Sequence, residues 1–319
     1  MSKKRLIALG IVAVLLIINV LLPFPSDDFK ISSDQNWKED VYAEGGPEEL
    51  ALLSIDGAIV DSTPSSFGNR PAYDHQTFLS QLEHAFTSDR IEGIILRVNS
   101  PGGGVYESDE IYQHIIDLQR EHPKPLVVYM DKYAASGGYY ISAPADKIFA
   151  NRNTITGSIG VIIGNYNYHQ LAENHGVYME VFKSGLHKDI MSPMKEMSDE
   201  EREIMQSLVD ESFGFFVDVV AQGRNMAKEK VIEVADGRIY SGPQAKQIGL
   251  VDEIGALDDA IAATAELSGV ENPTVIRYTQ APWSPRSLLL NPNISNRGVL
   301  NMDTIIQPER PRPMYLWVW

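Results

Sequence analysis

The 319-residue sequence contains no cysteine, which excludes disulfide bridges, a thiolate nucleophile and cysteine-based metal sites. Basic residues are also scarce: 27 lysines and arginines stand against 43 aspartates and glutamates, so the formal net charge is −16. Binding to nucleic acid requires a basic face, and we therefore expect no nucleic-acid partner. The seven histidines include no His-x-x-x-His pair, so we expect no metal site.

One long apolar run stands near the start of the chain. Residues 6–24 carry no charge and follow three basic residues at positions 3–5. As a helix the run would span roughly 28 Å, which matches one hydrocarbon core. A cleaved signal peptide is the alternative, but the run ends in Pro-Phe-Pro rather than in small residues. We expect a single transmembrane anchor, with residues 1–5 in the cytoplasm and the rest of the chain extracytoplasmic.

Beyond this run, the composition divides the chain into a linker, a folded domain and a tail. Residues 25–48 are polar and acidic, which is typical of a linker. In residues 49–280 predicted strands alternate with helices, which indicates an α/β fold with a mostly parallel sheet. Residues 281–319 lose this pattern, and we expect little fixed structure there. We predict strands at 50–60 (a pair), 91–98, 126–130, 147–150, 178–182 and 274–278, and helices at 76–86, 108–120, 200–222, 228–234 and 257–267.

A single serine stands out in the segment 133–140. Ser136 follows a predicted buried strand and precedes two glycines, Gly137 and Gly138. A serine at a strand-to-helix turn has an exposed Oγ close to a positive helix N-terminus, as a nucleophile requires. The two glycines allow another backbone, such as that of a substrate, to approach closely. A serine that only caps a helix is the alternative that this stretch leaves open.

A glycine loop forms a second candidate feature. The sequence Ser-Pro-Gly-Gly-Gly at 100–104 follows a predicted buried strand and precedes a helix. Consecutive glycines can direct backbone N–H groups into a cavity, where they suit a phosphate or an oxyanion. No Gly-Lys-Ser/Thr follows, so the loop is not a Walker motif. A plain turn is the remaining alternative.

Two further segments contain candidates for a general base and its partner. Lys183 and Lys188 follow the predicted strand at 178–182, and loops at strand ends commonly hold catalytic groups. A lysine acts as a base only if its pKa falls from about 10.4 to near neutrality, which disfavours its charge by about 4 to 5 kcal/mol. Ser158, in a hydroxyl-rich stretch, could orient a neutral amine. A solvated lysine and a simple turn are the alternatives.

Several of these motifs occur together and in order. They are Ser-Pro-Gly-Gly at 100–103, Ala-Ser-Gly-Gly-Tyr-Tyr at 135–140, Thr-Gly-Ser-Ile-Gly at 156–160, Lys-Ser-Gly through Lys-Asp at 183–189, and Arg-Ile-Tyr-Ser-Gly through Leu-Val-Asp at 238–252. With these motifs the chain resembles the signal peptide peptidase A family of membrane-anchored serine proteases, in its short Gram-positive form. The resemblance covers about residues 50–280.

The resemblance implies a Ser/Lys dyad. Ser136 would be the nucleophile, Lys188 the general base and Ser158 the residue that orients this lysine. Gly103 would supply an oxyanion N–H, together with Gly137. Lys183 and His187 are rivals for the base, and an imidazole titrates near neutrality without a large shift. The family motif favours Lys188.

Fold, assembly and substrate are also implied by the resemblance. The family is similar in fold to the Clp protease and crotonase group, a ββα spiral. The implied assembly is a homo-oligomeric ring in which neighbouring subunits share the dyad, and no cofactor is expected. The implied substrates are apolar signal peptides left in the membrane. A crotonase-like acyl-transfer enzyme and a non-catalytic anchored scaffold are the alternatives.

The end of the tail differs from the rest of it. A polar, proline-rich stretch leads to the apolar sequence Met-Tyr-Leu-Trp-Val-Trp at 314–319. We expect residues 305–319 to bind the chain's own substrate groove, as an autoinhibitor or as a self-processed end. A disordered end, or contact of the two tryptophans with a membrane surface, is the alternative.

Overall fold

A mostly parallel sheet forms the centre of the fold. The computed structural model describes residues 37–61, 73–280 and 314–316. The strands of these residues are β1 (Trp37–Ala43), β2 (Glu49–Asp56), β3 (Ile91–Ser100), β4 (Gly102–Gly104), β5 (Leu126–Ala135), β6 (Lys147–Ala150), β7 (Ile155–Gly157), β8 (Ile239–Ser241), β9 (Glu253–Ile254), β10 (Thr274–Gln280) and β11 (Met314–Leu316). The main path of the sheet runs β1-β10-β2-β3-β5-β6-β9, and only β1 pairs antiparallel along it. The predicted α/β class with a mostly parallel sheet is confirmed.

Helices cover both faces of this sheet. Those of the described residues are α1 (His75–Thr87), α2 (Val105–Glu121), α3 (Gly137–Tyr140), α4 (His169–Asn174), α5 (Asp199–Gly223), α6 (Lys228–Val234), α7 (Gly242–Gln247) and α8 (Leu257–Ser268). The helix α8 packs on one face, while α1, α2, α3 and α5 enclose the larger core on the other. Strand β3 is buried on both faces, with Ile94, Ile95 and Leu96 inaccessible to solvent. Such continuous apolar strands are typical of parallel sheets between helix layers.

Most of the long predicted elements are confirmed. The strand at 147–150 and the helix at 228–234 have the predicted bounds, and the other predicted helices differ by a few residues at their ends. The strand predicted at 178–182 is wrong, because these residues form no strand and are exposed. An alternating apolar pattern forms a strand only where a neighbouring strand pairs with it, and the described chain offers none there. The predicted strand pair at 50–60 is one strand, β2, after which Ile59 makes an isolated bridge to Gly103.

The folded domain begins before residue 49. Strand β1 lies within the predicted linker and pairs antiparallel with β10. Trp37 is 5% exposed and packs edge-on against His84 and Tyr278. Charged residues at positions 38–40 concealed this strand, since edge strands tolerate charges that central strands exclude. At the other end, three residues of the predicted tail form β11.

The predicted membrane anchor lies outside the described residues. None of the helices within the described ranges is long and apolar enough to cross a membrane.

Replacing Trp37 tests whether β1 belongs to the folded domain. We expect Trp37→Ala to lower the free energy of unfolding by about 3 kcal/mol, because it removes a buried aromatic side chain. Tyr42→Ala is the control in the same strand, where the side chain is 41% exposed, and it should change stability by less than about 1 kcal/mol. Urea denaturation of both variants measures the difference. Equal stabilities would contradict the assignment of β1 to the domain.

Candidate active site

Ser136 occupies a strained turn between β5 and α3. Its backbone has φ 54° and ψ −117°, which is rare for a residue with a side chain. The Ser136 N–H donates to the Gly157 carbonyl at 2.7 Å, and its carbonyl accepts from Tyr139 and Tyr140 at 2.9 Å. The side chain makes no capping hydrogen bond to α3, so the helix-capping alternative is wrong. A strained serine at a strand-to-helix turn is typical of a nucleophile.

The glycine loop forms β4, which lies between a parallel bridge to Ile59 and the antiparallel strand β11. On one side of β4, Ile59 donates to the Gly102 carbonyl at 2.9 Å and accepts from the Gly104 N–H at 2.8 Å. On the other side, β4 pairs antiparallel with β11, and Tyr315 stands opposite Gly103. The chain's own tail therefore lies along the predicted oxyanion loop as an added strand.

The carbonyl oxygen of Tyr315 lies close to Ser136 and to the backbone of Gly102 and Gly137. A Cβ built on Gly137 would lie 3.1 Å from both the Gly103 nitrogen and the Tyr315 carbonyl oxygen. A Cβ built on Gly102 would lie 2.0 Å from this oxygen, 2.7 Å from the Gly137 nitrogen and 3.0 Å from Ser136 Cβ. Because only glycine leaves this space empty, a peptide carbonyl can approach the serine and two backbone N–H groups together. This arrangement suits attack on a carbonyl whose oxygen is stabilised by hydrogen bonds.

A second strand segment holds the tail from the opposite side. Ile162 and Met314 exchange both main-chain hydrogen bonds, at 3.1 Å from the Ile162 nitrogen and 3.0 Å from the Met314 nitrogen. Residues 314–316 are thus paired on both edges by main-chain groups, and such pairing does not depend on the side chains of the peptide.

An aromatic pocket receives the Tyr315 side chain, which is fully buried. Its ring stacks on Tyr140 at 4.8 Å between centroids and contacts Phe216 at 4.7 Å. The Tyr315 hydroxyl donates to the Ser212 carbonyl at 2.8 Å, and Tyr140 donates to Asp109 at 2.6 Å. Burial raises the pKa of both tyrosine hydroxyls, so both remain neutral donors. The pocket is apolar along its walls and polar at its end.

Ser158 is brought next to this site by β7. Ala135 pairs with Gly157, so Ser158 follows the residue that accepts the Ser136 N–H. Ser158 also has a positive φ, 50°, and its N–H donates to the Arg238 carbonyl at 2.8 Å. Its side chain is 7% exposed. The structure therefore gathers Ser136, Ser158, Gly103 and Gly137 at one end of the sheet.

The lysine candidates lie on an exposed segment. Lys188 is exposed, and among the described residues no hydrogen bond joins its amine to Ser136 or Ser158. Lys183 binds Asp189 at 2.7 Å and also donates to the Leu186 carbonyl at 2.7 Å. These two contacts occupy the Lys183 amine, which argues against Lys183 as the base. The His187 Nε2 lies 3.5 Å from Glu200 and faces the start of α5.

Sequence reasoning missed the groups that hold a peptide. Ile59 and Ile162 act through main-chain atoms, which any residue supplies, so no sequence signal marks them. Phe216 and Ser212 belong to a predicted helix, but their role depends on how α5 packs. Tyr140 belongs to the Ala-Ser-Gly-Gly-Tyr-Tyr motif at 135–140, and its aromatic ring is the one signal in the sequence of a side-chain pocket.

Comparison with known proteins identifies the class. The model of peptidase family S49 matches residues 118–271. The chain is 37% identical over 342 residues to "Putative signal peptide peptidase SppA" of Enterococcus faecium, covering 99% of both chains. It is 35% identical over 235 residues to "Protease 4" of Salmonella typhi, and 30% identical over 253 residues to "Serine protease SPPA, chloroplastic" of Arabidopsis thaliana. These matches cover 73% and 77% of this chain, but 37% and 36% of the two relatives.

The fold and these similarities define a serine peptidase. The chain belongs to peptidase family S49, within the signal peptide peptidase A family.

Replacing Gly102 tests the geometry around the carbonyl. We expect Gly102→Ala to lower kcat/KM for peptide hydrolysis by about 10²-fold or more, because the added Cβ would lie 2.0 Å from the position of the Tyr315 carbonyl oxygen and alanine is strained at the Gly102 φ of 101°. Gly214→Ala is the control, since a Cβ there meets no atom within 4 Å and alanine favours the helix. Steady-state kinetics with circular dichroism checks activity and folding together. Unchanged kinetics in Gly102→Ala would contradict the placement of the carbonyl.

Proposed function

We propose that this protein is a membrane-anchored endopeptidase that degrades signal peptides after their release from preproteins. The observation that carries the proposal is the extended apolar peptide of β11, whose Tyr315 carbonyl lies beside Ser136 and the Gly103 and Gly137 nitrogens. The name of the Enterococcus faecium relative, 37% identical over nearly the whole chain, supports the substrate class. The apolar run at 6–24 supports an anchor, with the peptidase domain extracytoplasmic.

Hydrolysis proceeds by acyl transfer to the serine. Neutral Lys188 takes the proton of Ser136 as Oγ attacks the peptide carbonyl. The N–H groups of Gly103 and Gly137 receive the developing oxyanion. The protonated lysine then gives its proton to the leaving amine, and water hydrolyses the acyl-enzyme. Ser158 directs the amine, and none of these steps uses a cofactor.

A ring of identical subunits completes the site. Ser136 is 1% exposed at the end of the sheet, whereas Lys188 is exposed, and no hydrogen bond among the described residues joins the two side chains. This supports a lysine supplied by a neighbouring copy. This segment also exposes large apolar side chains, with Tyr178 at 86% and Phe182 at 91%. Contiguous exposed apolar surface marks an interaction site, and a second copy is the partner that would bury it.

Two inactive variants, alone and together, test the mechanism and the ring. In membrane vesicles, we expect Ser136→Ala and Lys188→Ala each to leave released signal peptides intact, with at least a 10³-fold loss of rate. Co-expression of both variants should restore part of the activity, because some neighbouring pairs then combine an intact serine with an intact lysine. The measurement is the lifetime of a labelled signal peptide, beside Lys132→Ala as a control.

Each other outcome has a distinct meaning. Activity in Ser136→Ala would contradict a serine mechanism and favour a scaffold or a crotonase-like reaction. Activity in Lys188→Ala would remove this lysine from the role of base. Inactive single variants with no restoration in the mixture would place the dyad within one subunit. If the inactive variants lost hydrolysis of other apolar peptides but still degraded signal peptides normally, the peptidase mechanism would stand and the proposed substrate class would be wrong.

The tail acts as an internal occupant of the groove. Residues 314–316 add a strand to β4, and Tyr315 fills the aromatic pocket. Because the tail is tethered to its own domain, its effective concentration exceeds that of a free peptide. It therefore competes with substrates as an autoinhibitor, or is cut after Tyr315 as a self-processed end.

Truncation of the tail tests this competition. We expect a chain that ends at residue 313 to show an apparent KM about tenfold lower than that of a chain that ends at residue 316, which keeps β11. Kinetics on an external apolar peptide gives the two values, and mass spectrometry shows whether wild type ends at Tyr315 while Ser136→Ala does not. Equal KM values and an intact C-terminus in wild type would overturn the role of the tail.

A further inference from the structure

We propose that Lys195 is a positioning residue that ties the Lys188 loop to the helix that forms the substrate pocket. The proposal rests on the proposed function, because Lys188 is the base only there. Lys195 contacts no candidate catalytic atom. It acts through two carboxylates, one beside Lys188 and one on α5.

The contacts of Lys195 join two parts of the chain. Its amine lies 2.8 Å from Asp189 Oδ1 and 2.5 Å from Glu201 Oε1. Asp189 is the next residue after Lys188 and also binds Lys183. Glu201 is buried, with 4% of its side chain exposed. The Lys195 ammonium group therefore joins the loop that carries Lys188 to the first turn of α5.

Glu201 is itself fixed by the start of the helix. Ser198 and Glu201 form a reciprocal capping box, in which the Ser198 N–H donates to Glu201 Oε2 and the Glu201 N–H donates to Ser198 Oγ. A carboxylate with these partners has little freedom to move. Farther along α5, Ser212 and Phe216 contact the side chain in the substrate pocket. The same rigid element thus defines the pocket and anchors the base loop.

One neighbour of Lys188 is held directly by this arrangement. Asp189 binds two ammonium groups, and these hydrogen bonds lower its pKa to about 2. On the other side, His187 Nδ1 lies 3.9 Å from Glu201, beyond hydrogen-bond distance. Fixing Asp189 restricts the backbone of Lys188, while the exposed lysine side chain can still reach a serine.

The cluster also balances charge around the base. The titratable groups that face the loop are Lys183, His187, Asp189, Lys195, Glu200 and Glu201. Loss of the Lys195 charge leaves the two carboxylates less neutralised, and a more negative loop favours the protonated form of a base that it carries. Loss of the Glu201 charge has the opposite effect. The two changes should therefore move the pH dependence of the rate in opposite directions.

A pair of charge-removing variants tests this role on the full-length protein. For Lys195→Met we expect kcat about tenfold lower, KM within about twofold of wild type, and a rate profile displaced by about half a pH unit to higher pH. For Glu201→Gln, whose amide still caps α5, we expect a displacement to lower pH. Lys195→Arg should restore kcat to within about twofold, because its guanidinium can bind both carboxylates. Hydrolysis of an apolar peptide from pH 6 to 11 gives the profiles.

The controls separate this inference from the proposed function. Lys230→Met removes a lysine from an exposed pair with Glu233 and should change neither kcat nor the profile. If Ser136→Ala and Lys188→Ala are inactive but Lys195→Met has the wild-type profile, only the role of Lys195 is overturned. Displacement in the same direction for both charge variants would also overturn it. Full activity of Lys188→Ala would instead overturn the proposed function.

Discussion

The backbone of Ser136 is the constraint on which the site depends. A positive φ at a residue with a side chain costs about 1–3 kcal/mol and persists only where its surroundings enforce it. Here the Ser136 amide is held by Gly157 and its carbonyl by the first turn of α3. Those contacts exist because the end of β5 leaves β6 and pairs with β7, while β3 remains paired on its other side. The buried sheet thus supplies the rigidity that keeps Ser136 and the Gly103 and Gly137 nitrogens around the same point.

Peptide recognition follows from the same strand geometry. Strand β4 already has Ile59 on one side, and its free edge accepts β11 on the other. Main-chain pairing sets the position of β11, and the pocket of Tyr140 and Phe216 holds its Tyr315 side chain. For a substrate bound as we propose, affinity and selectivity would come from different groups, which is the usual division in strand addition. The role of α5 in both the pocket and the loop of Lys188 links selectivity to the proposed chemistry.

The sequence predicted the parts of the fold that depend on local pattern. The predicted strand at 91–98 and the predicted helix at 200–222 are visible in a few neighbouring residues, and both elements are present as β3 and α5. Strands β4, β7, β8 and β9 have two or three residues each and exist only through pairing with distant segments, so no local pattern indicates them. The motif around Ser136 located the turn, but not the strained φ that distinguishes it from a cap. The ion pair of Lys183 likewise depends on a loop conformation that spacing does not reveal.

Binding through main-chain N–H and C=O groups limits which peptides can be cut. The exchange between Met314 and Ile162 needs a free N–H and C=O on the peptide, and both groups are already bonded in a helix. An apolar segment inside a bilayer is helical, because lipid offers its backbone no other partners. The helix of such a segment must unfold before the segment can enter the groove. Unfolding at the bilayer surface would therefore limit the rate of hydrolysis. A proline at the position of Met314 would lack the N–H, and peptides that carry one there would escape cleavage.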